Sequence, residues 1–235
     1  MGKRIISQAR GAGGPTYRAP SFRYKGRASH KTLSQEQISG KIIDFISCQG
    51  HSAPLAQVLY TDGETCLMIA PTGVKVGDTV TQGGEVATGN TLTLENIPEG
   101  TFIYNIEQQA GDGGKFCRAS GTTARVLTKV GNQVTIQLPS KKQKTFHSSC
   151  RATIGSIAGA GRLEKPFLKA GHLYHAMRAK NKLYPSVSGA KMNAVDHPFG
   201  NSRSSRKSKA VPISRNAPPG RKVGMVGARR TGRKR

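Results

Sequence analysis

Tryptophan is absent from this 235-residue sequence, and aromatic residues make up only 6% of it. No stretch approaches the roughly 18 consecutive apolar residues of a membrane-crossing helix. Met1 does not lead into the apolar core of a signal peptide, and no basic helix carries an apolar face suited to lying on a bilayer. These absences predict a soluble, intracellular chain with no membrane partner. Cysteine is sparse: Cys48, Cys66, Cys117 and Cys150 lie far apart, and no Cys-x-x-Cys occurs. A disulfide framework suits short secreted chains, which this is not. Cys48 with His51, and His147 with Cys150, each offer two zinc ligands on paper, but the spacing is looser than in structural zinc sites. Buried or half-buried thiols in strands are expected, with neither metal nor cofactor.

Acidic residues are the other scarcity. Twelve Asp and Glu stand against 37 Lys and Arg, for a net charge of +25. Such an excess attracts nucleic acid strongly. It is concentrated at the ends. Residues 151–235 hold 20 basic side chains and two acids, Glu164 and Asp196, while residues 1–35 hold eight basic side chains and no acid. Residues 36–150, with nine basic and ten acidic side chains, are close to neutral.

The neutral middle carries most of the β-branched residues in short runs broken by turns. Strands are expected at 41–46, 55–60, 65–69, 74–76, 78–80, 90–94, 101–106, 123–130, 133–138 and 151–157. Asp62-Gly63 between two apolar runs is a hairpin signal, and Gly111-Asp-Gly-Gly114 is a loop that glycines adopt most readily. Short strands at this spacing predict two small β-barrels in tandem, since closure removes exposed edges. Residues 1–35 read as an extended basic arm in which Tyr17, Phe22 and Tyr24 are available to stack on bases. After residue 161 the only helix expected lies at 171–180. Beyond Tyr184-Pro185 an irregular tail should take its shape from a polyanion, because it cannot bury a core of its own.

Within that tail lies Gly189-Ala-Lys-Met-Asn-Ala-Val-Asp-His-Pro-Phe-Gly200. The adjacent Asp196 and His197 invite an enzymatic reading, but no nucleophile stands beside them and sequence neighbours seldom face one another. A binding role fits better: His197 donating to phosphate or ribose, Asp196 accepting from a base amine, a ribose hydroxyl or a backbone amide. His172 and His175 read as amphipathic groups facing RNA rather than as a metal pair, for want of a nearby Cys or carboxylate.

Many motifs resemble the universal large-subunit ribosomal protein number two, in its archaeal type. They include Ile97-Pro-Glu-Gly-Thr101, Ala110-Gly-Asp-Gly-Gly-Lys115, Cys150-Arg-Ala-Thr-Ile-Gly155, Lys165-Pro-Phe-Leu-Lys-Ala-Gly171, Met192-Asn-Ala-Val-Asp-His-Pro-Phe-Gly200 and Ala217-Pro-Pro-Gly-Arg-Lys-Val-Gly224. The resemblance implies a mainly β fold: a basic arm (1–35), an OB-fold barrel (36–82), an SH3-like barrel (83–160) and an extended basic segment (161–235). It implies a non-enzymatic, cytoplasmic constituent of the large ribosomal subunit, near the peptidyl transferase region. Its partners would be large-subunit rRNA and other ribosomal proteins, with contacts at the subunit interface, in support of subunit association, tRNA binding and peptide-bond formation. Contact with rRNA falls to Lys191, Met192, Asn193, Asp196, His197 and Gly200, then to Arg203, Arg206, Arg215, Arg221, Lys222, Arg229 and Arg230. The sequence departs from the family at Ala194, usually Pro, and at Asn201-Ser202, usually Gly-Gly. Asn tolerates left-handed backbone better than Ser, and Arg203 and Arg206 are placed to replace close backbone approach by phosphate contact.

A free single-strand binder and an enzyme are the competing readings. The first is weakened by the few aromatics and near-neutral charge of the barrel segment, the second by the lack of an assembled site.

Overall fold

Ten short strands form one continuous mixed sheet in the computed structural model, which describes residues 3–32, 37–201 and 211–231. The strands are β1 (Ile38–Ile46), β2 (Leu55–Tyr60), β3 (Thr65–Ile69), β4 (Thr79–Gln82), β5 (Thr91–Thr93), β6 (Phe102–Tyr104), β7 (Ala124–Val130), β8 (Gln133–Gln137), β9 (Gln143–His147) and β10 (Arg151–Ile154). Their order is β3-β2-β1-β4-β5-β10-β6-β7-β8-β9. Two sets meet at a single parallel pairing, Gln82 with Thr91. The predicted closure into barrels is not seen: among the described residues neither set pairs back on itself, and the order stays open at β3 and β9.

Glycine and Asp place the turns. In the β2–β3 hairpin Gly63 has φ 83°, and the Glu64 N–H donates to Asp62 Oδ1 at 3.1 Å. The expected strand at 74–76 is instead a turn, closed by Asp78, whose Oδ2 accepts the Lys75 N–H at 2.9 Å. Strand β9 carries no strand signal in the sequence. Gln143-Lys-Thr-Phe-His147 offers one apolar residue, Phe146, and that alone turns into the core. Burial divides accordingly. Ile42, Val58, Met68 and Val80 fill the first set, while Leu92, Ile97, Ile103, Val126 and Ile136 fill the second.

Two compact units divide the chain: Ser21–Pro166, which contains the sheet, and Met1–Pro20 together with Phe167–Arg235. In the first unit, residues 21–32 run against the sheet. The Ser29 N–H bonds to Leu67 O at 3.0 Å and so occupies part of the β3 edge, which an unpaired strand would leave open to association. Lys31 is buried, its Nζ held by Asp62 and Glu64. The expected stacking aromatics divide. Tyr24 is half-buried with its ring over Gly50, which any Cβ would displace, so it serves packing. Phe22 is exposed, with the Arg23 guanidinium 5.3 Å from its ring centre.

A buried polar cluster joins this segment to both halves of the sheet. Arg151 Nη2 donates to Glu107 Oε1 at 2.7 Å, and Arg151 Nη1 to Lys31 O at 2.8 Å. Glu107 also accepts the N–H groups of Gly111, Gly113 and Arg151. Burial would raise its carboxyl, but the hydrogen bonds from the Arg151 guanidinium and backbone N–H, with the charge of Arg151, outweigh burial and hold it below the ordinary range. His30 Nε2 donates to Asn105 O at 2.7 Å. Burial, assisted by Arg151 and Arg118, lowers its pKa to about 4.

A neutral buried His30 makes stability depend on pH. The unfolded imidazole binds its proton from pH 6.5 downward, whereas the folded one resists until about 4. Stability is therefore complete above 6.5 and falls as pH drops toward 4, by roughly 3 kcal/mol. Carboxylates begin to contribute below about 5, and His51, which burial and Arg118 also lower, shares the interval above it, so the part of the loss that a change at His30 removes reports His30. His30→Gln in the full chain should flatten thermal melting over that interval; an unaltered slope would exclude His30 as the source.

Candidate nucleic-acid interface

The second unit is built from the two ends of the chain, residues 1–20 and 167–235, in which Asp196 is the single acidic side chain. The arm is not wholly extended. Helix α1 (Ile6–Gly11) interrupts it, with the Ile5 N–H donating to Gln8 Oε1 at 3.2 Å. Ser-Gln-Ala-Arg forms helix readily and Gly11-Ala-Gly13 stops it, a local signal masked by the basic composition.

Helix α2 (Ala170–Ala179) stands where a helix was expected. Leu173 and Met177 are half-buried, while His172 and His175 are exposed. Asn181 ends its last turn at φ 52°, and its Nδ2 donates to Pro15 O and Arg18 O, each at 2.8 Å. One left-handed Asn thus ties the arm to the helix.

The loop 189–201 fixes its own shape, although the sequence shows no core for it. A 3-10 turn spans Gly189–Lys191. Asn193 O accepts the N–H groups of Asp196 and His197, at 3.0 and 3.1 Å. The Gly200 N–H bonds to His197 O at 2.8 Å, and the Asn201 N–H to Met192 O at 3.0 Å. Gly200 is buried, and a Cβ there would run into the carbonyls of Asn193 and Met192. Gly189 lies under the His197 ring in the same way. Asn201 has φ 53°, the left-handed geometry for which Asn suits better than Ser.

Asp196 and His197 are turned to different tasks. The Asp196 carboxylate lies 3.5 Å from Lys3 Nζ. His197 Nδ1 accepts the Phe199 N–H at 3.0 Å, so the ring proton sits on Nε2, and the two rings lie 5.1 Å apart. No Asp–His relay forms, which removes the geometric basis for general-base chemistry.

Two further strands, β11 (Pro212–Ile213) and β12 (Met225–Val226), pair in parallel where an irregular tail was expected. The Gly227 N–H adds a bond to Ile213 O at 2.7 Å, and the Arg215 side chain runs along Gly227. Phe199 packs near Gly224, which brings the loop and this clip together. Lys191, Asn193, Arg215, Arg221, Lys222, Arg229 and Arg230 are exposed, and Met192 is half-buried. Arg203 and Arg206, with Ser202, lie outside the described residues. The structure thus gathers Lys191 to Gly200 in one loop and joins it to Lys3, a residue with no sequence signal for the site. Elsewhere, His51 Nδ1 meets Cys48 Sγ at 3.2 Å and His147 Nδ1 meets Ser149 Oγ at 2.7 Å. Among the described residues no three His, Cys, Asp or Glu side chains cluster as metal ligands would, and no helix is long and apolar enough to cross a membrane.

The loop 189–201 lies within a segment that matches a known family. Residues 87–217 fit the family described as Ribosomal Proteins L2, C-terminal domain. The large ribosomal subunit protein uL2 of Archaeoglobus fulgidus is 52% identical over the whole of both chains. The chain belongs to the uL2 family. Its counterpart from Halorubrum lacusprofundi is 50% identical, covering 99% of this chain and 98% of the other. The uL2 protein of Methanothermobacter thermautotrophicus is 48% identical over the whole of both. The family is ribosomal and structural, not enzymatic, and the relatives named here are of archaeal type.

Proposed function

We propose that the chain is a constituent of the large ribosomal subunit, in the cytoplasm, that binds large-subunit rRNA near the peptidyl transferase region. In that place it supports subunit association, tRNA binding and peptide-bond formation, beside other ribosomal proteins. The observation that carries this reading is the charge of the unit made by the two chain ends: one carboxylate, Asp196, among its many Lys and Arg. Such a surface neutralises phosphates where RNA strands converge. Contact is assigned to Lys191, Met192, Asn193, Asp196, His197 and Gly200 of the loop and to Arg203, Arg206, Arg215, Arg221, Lys222, Arg229 and Arg230. His197 Nε2–H donates to phosphate or ribose. Asp196 tempers Lys3 and accepts from base or ribose. The same proposal divides the chain into a basic arm (1–35), an OB-fold segment (36–82), an SH3-like segment (83–160) and a basic tail (161–235).

The deciding experiment is binding to large-subunit rRNA at physiological salt, challenged by excess unstructured RNA of equal length. Retention on the folded RNA supports the reading. Displacement by the competitor reduces the protein to a general polycation and sinks it.

Gly200→Ala tests the loop. Its Cβ would push apart the carbonyls of Asn193 and Met192, a form of overpacking that costs about 1–3 kcal/mol. Affinity for rRNA should fall about tenfold at constant salt, with helix α2 intact by circular dichroism. Wild-type affinity in a correctly folded variant would remove the loop from the interface.

A further inference from the structure

Three remote parts of the chain converge beside His197. The arm supplies Lys3, Arg4 and Ile5, the loop supplies Ala194, His197 and Pro198, and a turn after Pro218 brings in Pro219. Together they bound a cavity of about 470 Å³, within the size range of small-molecule sites. The Lys3 N–H bonds to Val195 O at 2.9 Å and sets the arm in register on the loop. Ile5 is 6% exposed and so anchored, although the tail has no extended core. The turn is closed by the Arg221 N–H to Pro218 O at 3.1 Å, with Gly220 at φ 90°.

The lining has two characters. Ile5, Pro198 and Pro219 form apolar surface, and the rings of proline offer flat faces for stacking. The polar groups are donors: Lys3, Arg4, the His197 Nε2–H and the amide nitrogen of Gln8, whose oxygen is engaged by the Ile5 N–H. Among the described residues no carboxylate lines the cavity, Asp196 approaches Lys3 from outside the lining, and Arg4 has no acidic partner. A bare phosphate would leave the apolar surface uncovered, and an apolar ligand would leave the cations unmatched. A flat, weakly polar body joined to an anion satisfies both.

We propose that this cavity receives a single unstacked nucleotide of RNA, its base against Pro198 and Pro219 and its phosphate among Lys3, Arg4 and His197. The proposal rests on the rRNA-binding reading above and adds that the N-terminal arm is part of the site. It gives a role to the register bond by which Lys3, at the far end of the chain, is held on the loop.

The test uses the full chain bound to large-subunit rRNA, with base-specific chemical probing of the RNA. Ala194→Trp fills the cavity without changing charge. It should lower affinity about tenfold, the worth of one stacked base, leave the salt slope unchanged and restore reactivity to one base that the wild type protects. Lys3→Ala with Arg4→Ala, which leaves the loop sequence untouched, should expose the same base and reduce the salt slope by about one to two. If neither variant changes the reactivity of any base, or the two expose unrelated bases, the pocket is overturned while rRNA binding stands. Failure of rRNA binding itself would show separately, as loss of the wild-type protein to unstructured competitor.

Discussion

Between 50 and 200 mM monovalent salt, the affinity of the full chain for large-subunit rRNA should fall by about 10³- to 10⁵-fold, the loss expected for six to ten phosphate contacts. The reasoning starts from charge placement. Lys191, Arg215, Arg221, Lys222, Arg229 and Arg230 are exposed, and the one acidic side chain in their unit is engaged with Lys3. Each such cation that reaches a phosphate releases condensed counterions, and dilution of those ions drives binding. A log–log plot of affinity against salt should therefore be linear and steep. Arg221→Ala should weaken binding to all RNAs alike and make the slope shallower by about one. A slope near zero would refute phosphate neutralisation as the main source of affinity, whatever the specificity.

Arg151→Met should destabilise the protein by about 3–5 kcal/mol, because it leaves the Glu107 carboxylate buried without its counter-ion. The side chains of Arg151 and Glu107 are 3% and 0% exposed. Three backbone donors, from Gly111, Gly113 and residue 151, would still reach the carboxylate, which places the loss toward the lower end. The guanidinium also holds Lys31 O, so residues 27–32 should loosen from the sheet. Urea unfolding of the full chain measures this as a lower midpoint. Adding Glu107→Gln to Arg151→Met removes the orphaned charge and should restore part of the loss. A single-variant loss below about 1 kcal/mol would show that the cluster is dispensable, against the usual cost of breaking such a pair.

Local chemistry made much of the sheet legible. The strands β2 and β3 coincide with the expected 55–60 and 65–69, because largely apolar runs flank an Asp-Gly turn whose geometry few other residues permit. Gly111, Gly113 and Gly114 take positive φ as their composition suggested, and Gly114 sits against Asn105 where no Cβ fits. Strand β9 was hidden, since one inward Phe among polar residues has no periodic signal; its pairing with β8 supplies the order. The same holds for β11 and β12, two residues each, which exist only because chain segments more than ten residues apart meet.

The candidate site divides along the same line. Its loop was visible in the run from Gly189 to Gly200, and Asn201 adopts the left-handed geometry its side chain favours. In the sequence Lys3, Arg4 and Ile5 belong to a basic arm with no visible relation to His197. Their approach depends on a bond from Lys3 to Val195 and on Asn181 gripping Pro15 and Arg18. Such contacts join residues some 160 to 190 positions apart, and one sequence carries no period or motif that reports them.

By itself the sequence determined the charge, the neutral β-rich middle, the turn positions and the family. Those are consequences of composition and of short-range backbone preference, each set within a few residues. The tertiary structure decided which charges are neutralised, that Arg151 is spent on Glu107, that Asp196 meets Lys3 rather than His197, and that both chain ends build one unit. Those outcomes turn on distances between groups far apart in the chain, and Coulomb and hydrogen-bond energies act through space without regard to sequence separation.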